Sequence, residues 1–131
     1  MKYLGIDFGL KRIGIAVSDD AGSIAFPRET ISNDDNTTEY LLELMHREKI
    51  GAIVVGDTRT ASGAPNIASL SADLFIEELK SAIAIPIHRG FEAWSSIEAS
   101  RYAPKGKEHD DSAAAAIILQ RFLDSRVGGV E

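Results

Sequence analysis

Five carboxylates stand in or beside stretches of regular structure. Asp7 interrupts the apolar run "KYLGIDFG" between Gly5 and Gly9, Asp57 directly follows Gly56 at the end of "IGAIVVG", Glu92 follows "AIPIHRG" by two residues, and the pair Asp110 and Asp111 opens an alanine-rich run. Carboxylates gathered at one point are hard oxygen donors suited to Mg²⁺ or Mn²⁺. Two such ions roughly 3.5–4 Å apart activate an attacking water and stabilise a leaving oxygen. Each acid also has an ordinary explanation. An aspartate near a strand end can be a turn former, and one at a helix start can be a cap or a partner of the helix dipole. For Asp7 the metal reading is stronger, because a charge inside an apolar central strand must be paired or metal-bound to be tolerated. The glycines on either side let a backbone or a phosphate come close. Glu98 and Glu108 read as surface charges.

Cations lie near these acids in sequence. Lys11 and Arg12 follow Asp7 on a short link, Arg59 follows Asp57, and Arg101, Lys105 and Lys107 surround the turn "APKGK" before the last helix. They are candidate phosphate contacts, although Lys11 and Arg12 could equally be a solvated turn. Trp94 is placed to stack on an unpaired base, or to bury its area in a core or interface as large aromatics usually do.

The elements that must position these residues follow from periodicity. "KYLGIDFG" and "RIGIAVSD" read as two strands joined by "GLK", a hairpin. A third strand, "SIAFPRETI", contains Pro27, which cannot donate to a ladder and belongs at a sheet edge. Leu41, Leu42, Leu44 and Met45 have helical spacing between Asn36 and Lys49, and "IGAIVVG" is apolar enough for a buried central strand. The loop "DTRTASGAPN" leads to a helix over 67–82 with Leu70, Leu74, Ile76 and Leu79 along it. "AIPIHRG" is a fifth strand. A short helical stretch over 98–102 and a final helix over 110–126 complete the chain. The order β-β-β-α-β-α-β-α-α, with right-handed crossovers, predicts an RNase H-like α/β fold: a mixed five-stranded sheet in the order 3-2-1-4-5, three strands antiparallel and two parallel, flanked by helices.

Helical phase separates the last two acids. Asp111 heads a stripe through Ala115, Ile118 and Phe122, whereas Asp110 heads one through Ala114, Ile117, Arg121 and Asp124. The alanines from Ala113 to Ala116 allow close approach to the sheet, so Asp111 is expected over the first strand near Asp7, with Asp110 as the cap. The fourth and fifth strands, parallel to the first, end on the same rim, where ligands of such sheets collect. That brings Asp57 and Glu92 to the same place.

Length and composition set limits. At 131 residues the chain is one domain, 1–131, too short for two lobes closing over a nucleotide. With 44% apolar and 26% charged residues it is an ordinary globular sequence. The absence of cysteine removes disulfides, thiolate sites and cysteine nucleophiles and fits a cytoplasmic protein. His46, His88 and His109 lack zinc spacing, and His46 reads as a helix-surface residue. No signal peptide or membrane span appears, and the domain is expected to begin at the first residue. The net charge of −6 weighs against counterion-driven nucleic-acid binding, yet a metal held on carboxylates supplies the positive field a phosphate needs.

The stretches "GIDFGLKRIGIAVSD", "IVVG" with "SGAPN" after it, "FEAWSS" and "DDSAAAAIILQRFLD" span nearly all of the chain and resemble the YqgF family of Holliday junction resolvases and pre-16S rRNA 5′-end nucleases. The resemblance implies an RNase H-like fold, a catalytic acid at each of Asp7, Glu92 and Asp111, a divalent metal, and structured RNA or branched DNA as substrate. The chain departs from the commoner pattern at Phe91, Ala93 and Trp94, where an acid, an arginine and a leucine are usual, and at Asp57, where the pattern has leucine. Asp57 places an acid where other RNase H-like nucleases carry one, making it a candidate fourth ligand. Two other readings compete: a non-catalytic nucleic-acid-binding module or assembly factor, and a phosphate-binding domain of the actin-like or sugar-kinase type suggested by "DFG". Retention of every core acid opposes the first, and length opposes the second. The expected state is a monomer or a homodimer, since symmetric resolution of a four-way junction needs two sites.

Overall fold

The computed structural model describes residues 1–57, 67–91 and 111–128. Five strands form one sheet: β1 (Lys2–Phe8), β2 (Arg12–Ser18), β3 (Ala25–Ser32), β4 (Ile50–Asp57) and β5 (Ile87–Phe91). Their spatial order is β3-β2-β1-β4-β5. β1 pairs antiparallel with β2 and parallel with β4, β2 pairs antiparallel with β3, and β4 pairs parallel with β5. The helices are α1 (Thr37–Glu48), α2 (Ile67–Ala82) and α3 (Asp111–Gly128). This is the strand order expected of an RNase H-like α/β fold, with Pro27 on the edge strand β3. The short helix expected over 98–102 lies outside the described residues.

Alternation along β1 divides the core. Leu4, Ile6 and Phe8 join Ile13, Ile15, Val17, Ile53 and Val55 against Leu41, Leu44 and Met45 of α1 and Phe75, Ile76 and Leu79 of α2. The opposite face is covered by α3, where Tyr3, Ala16, Ala52 and Val54 meet Ala115, Ile118, Leu119 and Leu123. Beside Tyr3 and Val54 the sheet presents mainly glycine and alanine there, at Gly5, Gly14, Ala16, Ala52 and Gly90, so α3 lies close to it. A Cβ added to Gly5 would stand 2.8 Å from the Leu119 Cβ. The close neighbour of Gly5 is therefore the helix itself.

Three details differ from the periodic expectation. On α2, Leu70 and Leu74 are exposed, and the buried positions are Ala72, Phe75, Ile76 and Leu79. On α3, Ala114 is fully buried beside Ala115, and Leu119 and Leu123 extend the contact stripe, while Phe122 is only partly buried. The apolar face is thus wider than a single row of every third or fourth residue, as is usual for a helix lying on a sheet. β5 begins at Ile87, after Pro86. Pro86 has no N–H to give, but its carbonyl accepts a hydrogen bond from the Ile53 N–H at 2.9 Å. Among the described residues no helix is long and apolar enough to cross a membrane.

Candidate active site

β1 carries Asp7 toward the α3 face. Its cross-strand partner is Gly14 of β2, and directly opposed residues of an antiparallel pair present their side chains on the same face. A Cβ built on Gly14 would fall 1.9 Å from the Asp111 carbonyl oxygen and 2.9 Å from the Asp111 Cβ. The first residue of α3 therefore rests on the bare backbone beside Asp7. No residue other than glycine fits there without moving the helix. Asp7 is buried at 4% exposure, and the Asp111 side chain retains 15%. Two aspartates, one from the first strand and one from the last helix, thus start from adjoining backbone.

That arrangement concentrates negative charge. Part of the compensation is visible: the Arg12 Nε donates to Asp111 Oδ2 at 3.0 Å. Arg12 begins β2, two residues before Gly14, so its side chain starts from the same strand on which Asp111 sits. Asp111 is also in the first turn of α3, where the helix dipole favours an anion. Lys11 is exposed on the link between β1 and β2. This link is held from behind, because Asn33 donates through its backbone N–H to the Lys11 carbonyl at 3.0 Å and through Nδ2 to the Gly9 carbonyl at 2.9 Å.

The remaining sequence-predicted residues reach this rim to different extents. Asp57 is the last residue of β4, paired in register with Phe91 of β5. Both strands run parallel to β1, so their C-terminal ends lie at the end of the sheet where Asp7 stands. His88 of β5 faces α3, its ring 4.8 Å from that of Phe122. Gly90 lies on the same face, with the Ile118 Cγ2 at 3.0 Å from an added Cβ. Glu92, Arg59, Trp94, Arg101, Lys105, Lys107 and Asp110 lie outside the described residues. Among the described residues no three acids or histidines gather into a metal-binding group. The donors present, two carboxylates on adjoining backbone, suit a hard divalent cation rather than a soft one.

Sequence reasoning missed Gly14. A signal was available, since a glycine inside an otherwise Ile/Val-rich strand marks a bulge or a close approach of another backbone. It also missed the pairing of Arg12 with Asp111, which joins residues 99 positions apart.

Comparison with known proteins bears on the fold and the family. A model of the RuvX family, described as Holliday junction resolvase, matches residues 1–125. A protein of Maridesulfovibrio salexigens named "Putative pre-16S rRNA nuclease" is 36% identical, with 94% of this chain and 98% of that protein covered. A protein of the same name from Nitratidesulfovibrio vulgaris is 39% identical, with 95% and 94% covered. Among solved structures, Thermus thermophilus RuvC in complex with a Holliday junction substrate superposes with a TM-score of 0.64 at 17% identity, covering 98% of this chain and 96% of that one. The fowlpox virus Holliday junction resolvase gives 0.58 at 15% identity, covering 95% and 99%. These two share the fold. With a full-length match to the family and relatives well above 30% identity along their whole length, the chain belongs to the RuvX family, the YqgF family of the sequence resemblance.

Proposed function

We propose that this chain is a divalent-metal-dependent endonuclease that hydrolyses phosphodiester bonds in structured nucleic acid. The observation that carries the reading is the seating of Asp111 on Gly14, which sets a helix-borne carboxylate beside the buried carboxylate of Asp7. Asp7, Asp111 and Glu92 are the catalytic acids, and Asp57 at the end of β4 is a fourth ligand. Mg²⁺ or Mn²⁺ bound among them would lower the pKa of an attacking water and neutralise charge on the leaving oxygen.

The protein's own part is placement. Burial of Asp7 removes one carboxylate from competing solvent and fixes its direction, because the strand pairs on both sides. The backbone contact at Gly14 fixes the start of α3 relative to that strand. Lys11 and Arg12 stand exposed at the same end of β1 and β2, where they can meet the phosphates flanking the scissile bond. Arg59, Arg101, Lys105 and Lys107 extend the contact to either side. With a net charge of −6, attraction for the backbone depends on these few cations and on the bound metal, so binding falls with salt by a modest slope.

The substrate favoured is the 5′ end of precursor 16S rRNA, because relatives carrying that name match along nearly their whole length. A four-way DNA junction is the second reading, favoured by the family description and by the fold shared with junction resolvases. The protein acts as one domain, residues 1–131, in the cytoplasm, as a monomer on RNA or as a homodimer on a symmetric junction.

The test is cleavage of labelled precursor rRNA and labelled junction DNA in Mg²⁺ or Mn²⁺ by wild type, Asp7→Asn, Asp111→Asn and Glu92→Gln. Wild type cuts one of the two substrates, and each variant is inactive. Cleavage persisting in both aspartate variants would overturn the assignment.

A further inference from the structure

Arg12 and Asp111 form an unequal pair. The Asp111 side chain is 15% exposed and its backbone is pinned on Gly14, whereas the Arg12 side chain is 64% exposed. One partner is largely enclosed and the other largely open to solvent. The contact, Nε to Oδ2 at 3.0 Å, also occupies an oxygen that the preceding reading gives to the metal. A guanidinium and a divalent cation compete for the same lone pairs, and each repels the other.

We propose that Arg12 is an exchangeable counterion: it holds Asp111 while no cation is bound, yields Oδ2 when a divalent cation enters, and turns its guanidinium to a substrate phosphate. This rests on the reading of Asp7 and Asp111 as metal ligands. Three observations support the exchange. A buried aspartate and a largely buried one lie side by side, so the metal-free site needs a positive charge nearby. An ion pair with one partner this exposed is weak enough to break, since such pairs contribute little in water. The guanidinium fork, once released, is the group best shaped for two phosphate oxygens. Arg12 is therefore a positioning residue in the free enzyme and a substrate contact in the loaded one.

The exchange gives opposite signs for two ligands, which a purely structural role does not. Removing the competing cation, in Arg12→Gln, tightens Mn²⁺ binding about threefold, the size an exposed ion pair supports. The same substitution weakens binding of junction DNA about tenfold in Ca²⁺, as loss of a charge-assisted contact does. It leaves binding in EDTA unchanged, where Arg12 is still engaged with Asp111. Arg12→Lys falls between wild type and Arg12→Gln in both metal and DNA affinity.

The experiment is calorimetric titration of Mn²⁺ into wild type, Arg12→Gln, Arg12→Lys and Asp7→Asn, with junction-DNA binding in EDTA and in Ca²⁺. Thermal unfolding confirms that each variant folds. Weaker or unchanged Mn²⁺ affinity in Arg12→Gln overturns the exchange, as does equal loss of DNA binding in EDTA and Ca²⁺. If wild type binds Mn²⁺ no better than Asp7→Asn, the metal site itself fails, and the exchange fails with it for that separate reason.

Discussion

The two faces of β1 are built from the same strand and do opposite work. Toward α1 and α2 it presents Leu4, Ile6 and Phe8, large side chains packed into a continuous apolar layer. Toward α3 it presents Tyr3, Gly5 and Asp7, of which the glycine admits Leu119 at 2.8 Å from a notional Cβ. One face gains stability from bulk. The other gives up bulk so that a helix can come near enough to place a carboxylate. The contrast teaches that in this sheet stability and chemistry are assigned by side-chain parity, and that substitutions on adjacent residues should fail in different ways.

The largest expected effect is on cleavage at the α3 face. On the proposed role of Asp7 as a metal ligand, Asp7→Asn lowers the cleavage rate by at least about a thousandfold, the several kcal/mol that metal-held charge stabilisation supplies. Its melting temperature stays close to that of wild type, because asparagine keeps the size of the buried side chain and one acceptor oxygen. A variant that melts early would place Asp7 in the stabilising set and break the contrast between faces. Gly14→Ala comes next. Its Cβ must displace the Asp111 backbone, costing about 1–3 kcal/mol of stability by overpacking and about a hundredfold in rate by moving a proposed ligand on the order of an ångström. Equal rates in Gly14→Ala and wild type would show that the helix start need not rest on β2.

On the other face, Ile6→Ala leaves a cavity and costs about 2–5 kcal/mol in chemical unfolding, while the folded fraction cleaves at close to the wild-type rate. A loss of rate beyond the unfolded fraction would tie the two faces together. The smallest effect lies at the far end of the sheet, where Arg28 and Lys2 hold the Glu48 carboxyl down to about 2 from an ordinary 4.5. A lowered folded-state value means that the stabilisation is complete above pH 4.5 and disappears as the pH falls toward 2. Glu48→Gln accordingly melts slightly below wild type at neutral pH, by less than about 1 kcal/mol, and the two converge in acid. A gap that widened in acid would reverse the sign of this linkage.

Much of this was legible before the structure. Strand order followed from short links against helical crossovers, and the edge position of β3 followed from Pro27. The choice of Asp111 over Asp110 by helical phase remains a proposal, because Asp110 lies outside the described residues and Ala114, on its row, is as buried as Ala115. What escaped was of two kinds. Exposure of Leu70 and Leu74 on α2 depends on which of several apolar rows meets the sheet, and period alone does not choose among rows. The Arg12 contact with Asp111 and the demand for Gly14 arise where the ends of the chain meet. Local pattern marks Gly14 as a point of close approach but does not say which segment approaches it.

That meeting has a bearing on synthesis. Asp7 emerges from the ribosome early, and β1 through β5 can assemble before α3 exists. Asp111 follows Asp7 by more than a hundred residues, and domains generally assemble from the N-terminal side as they are made. A nascent chain therefore carries the sheet without the second carboxylate. On the proposed assignment of Asp7 and Asp111, the site stays incomplete during synthesis until α3 has been translated and laid down on Gly14.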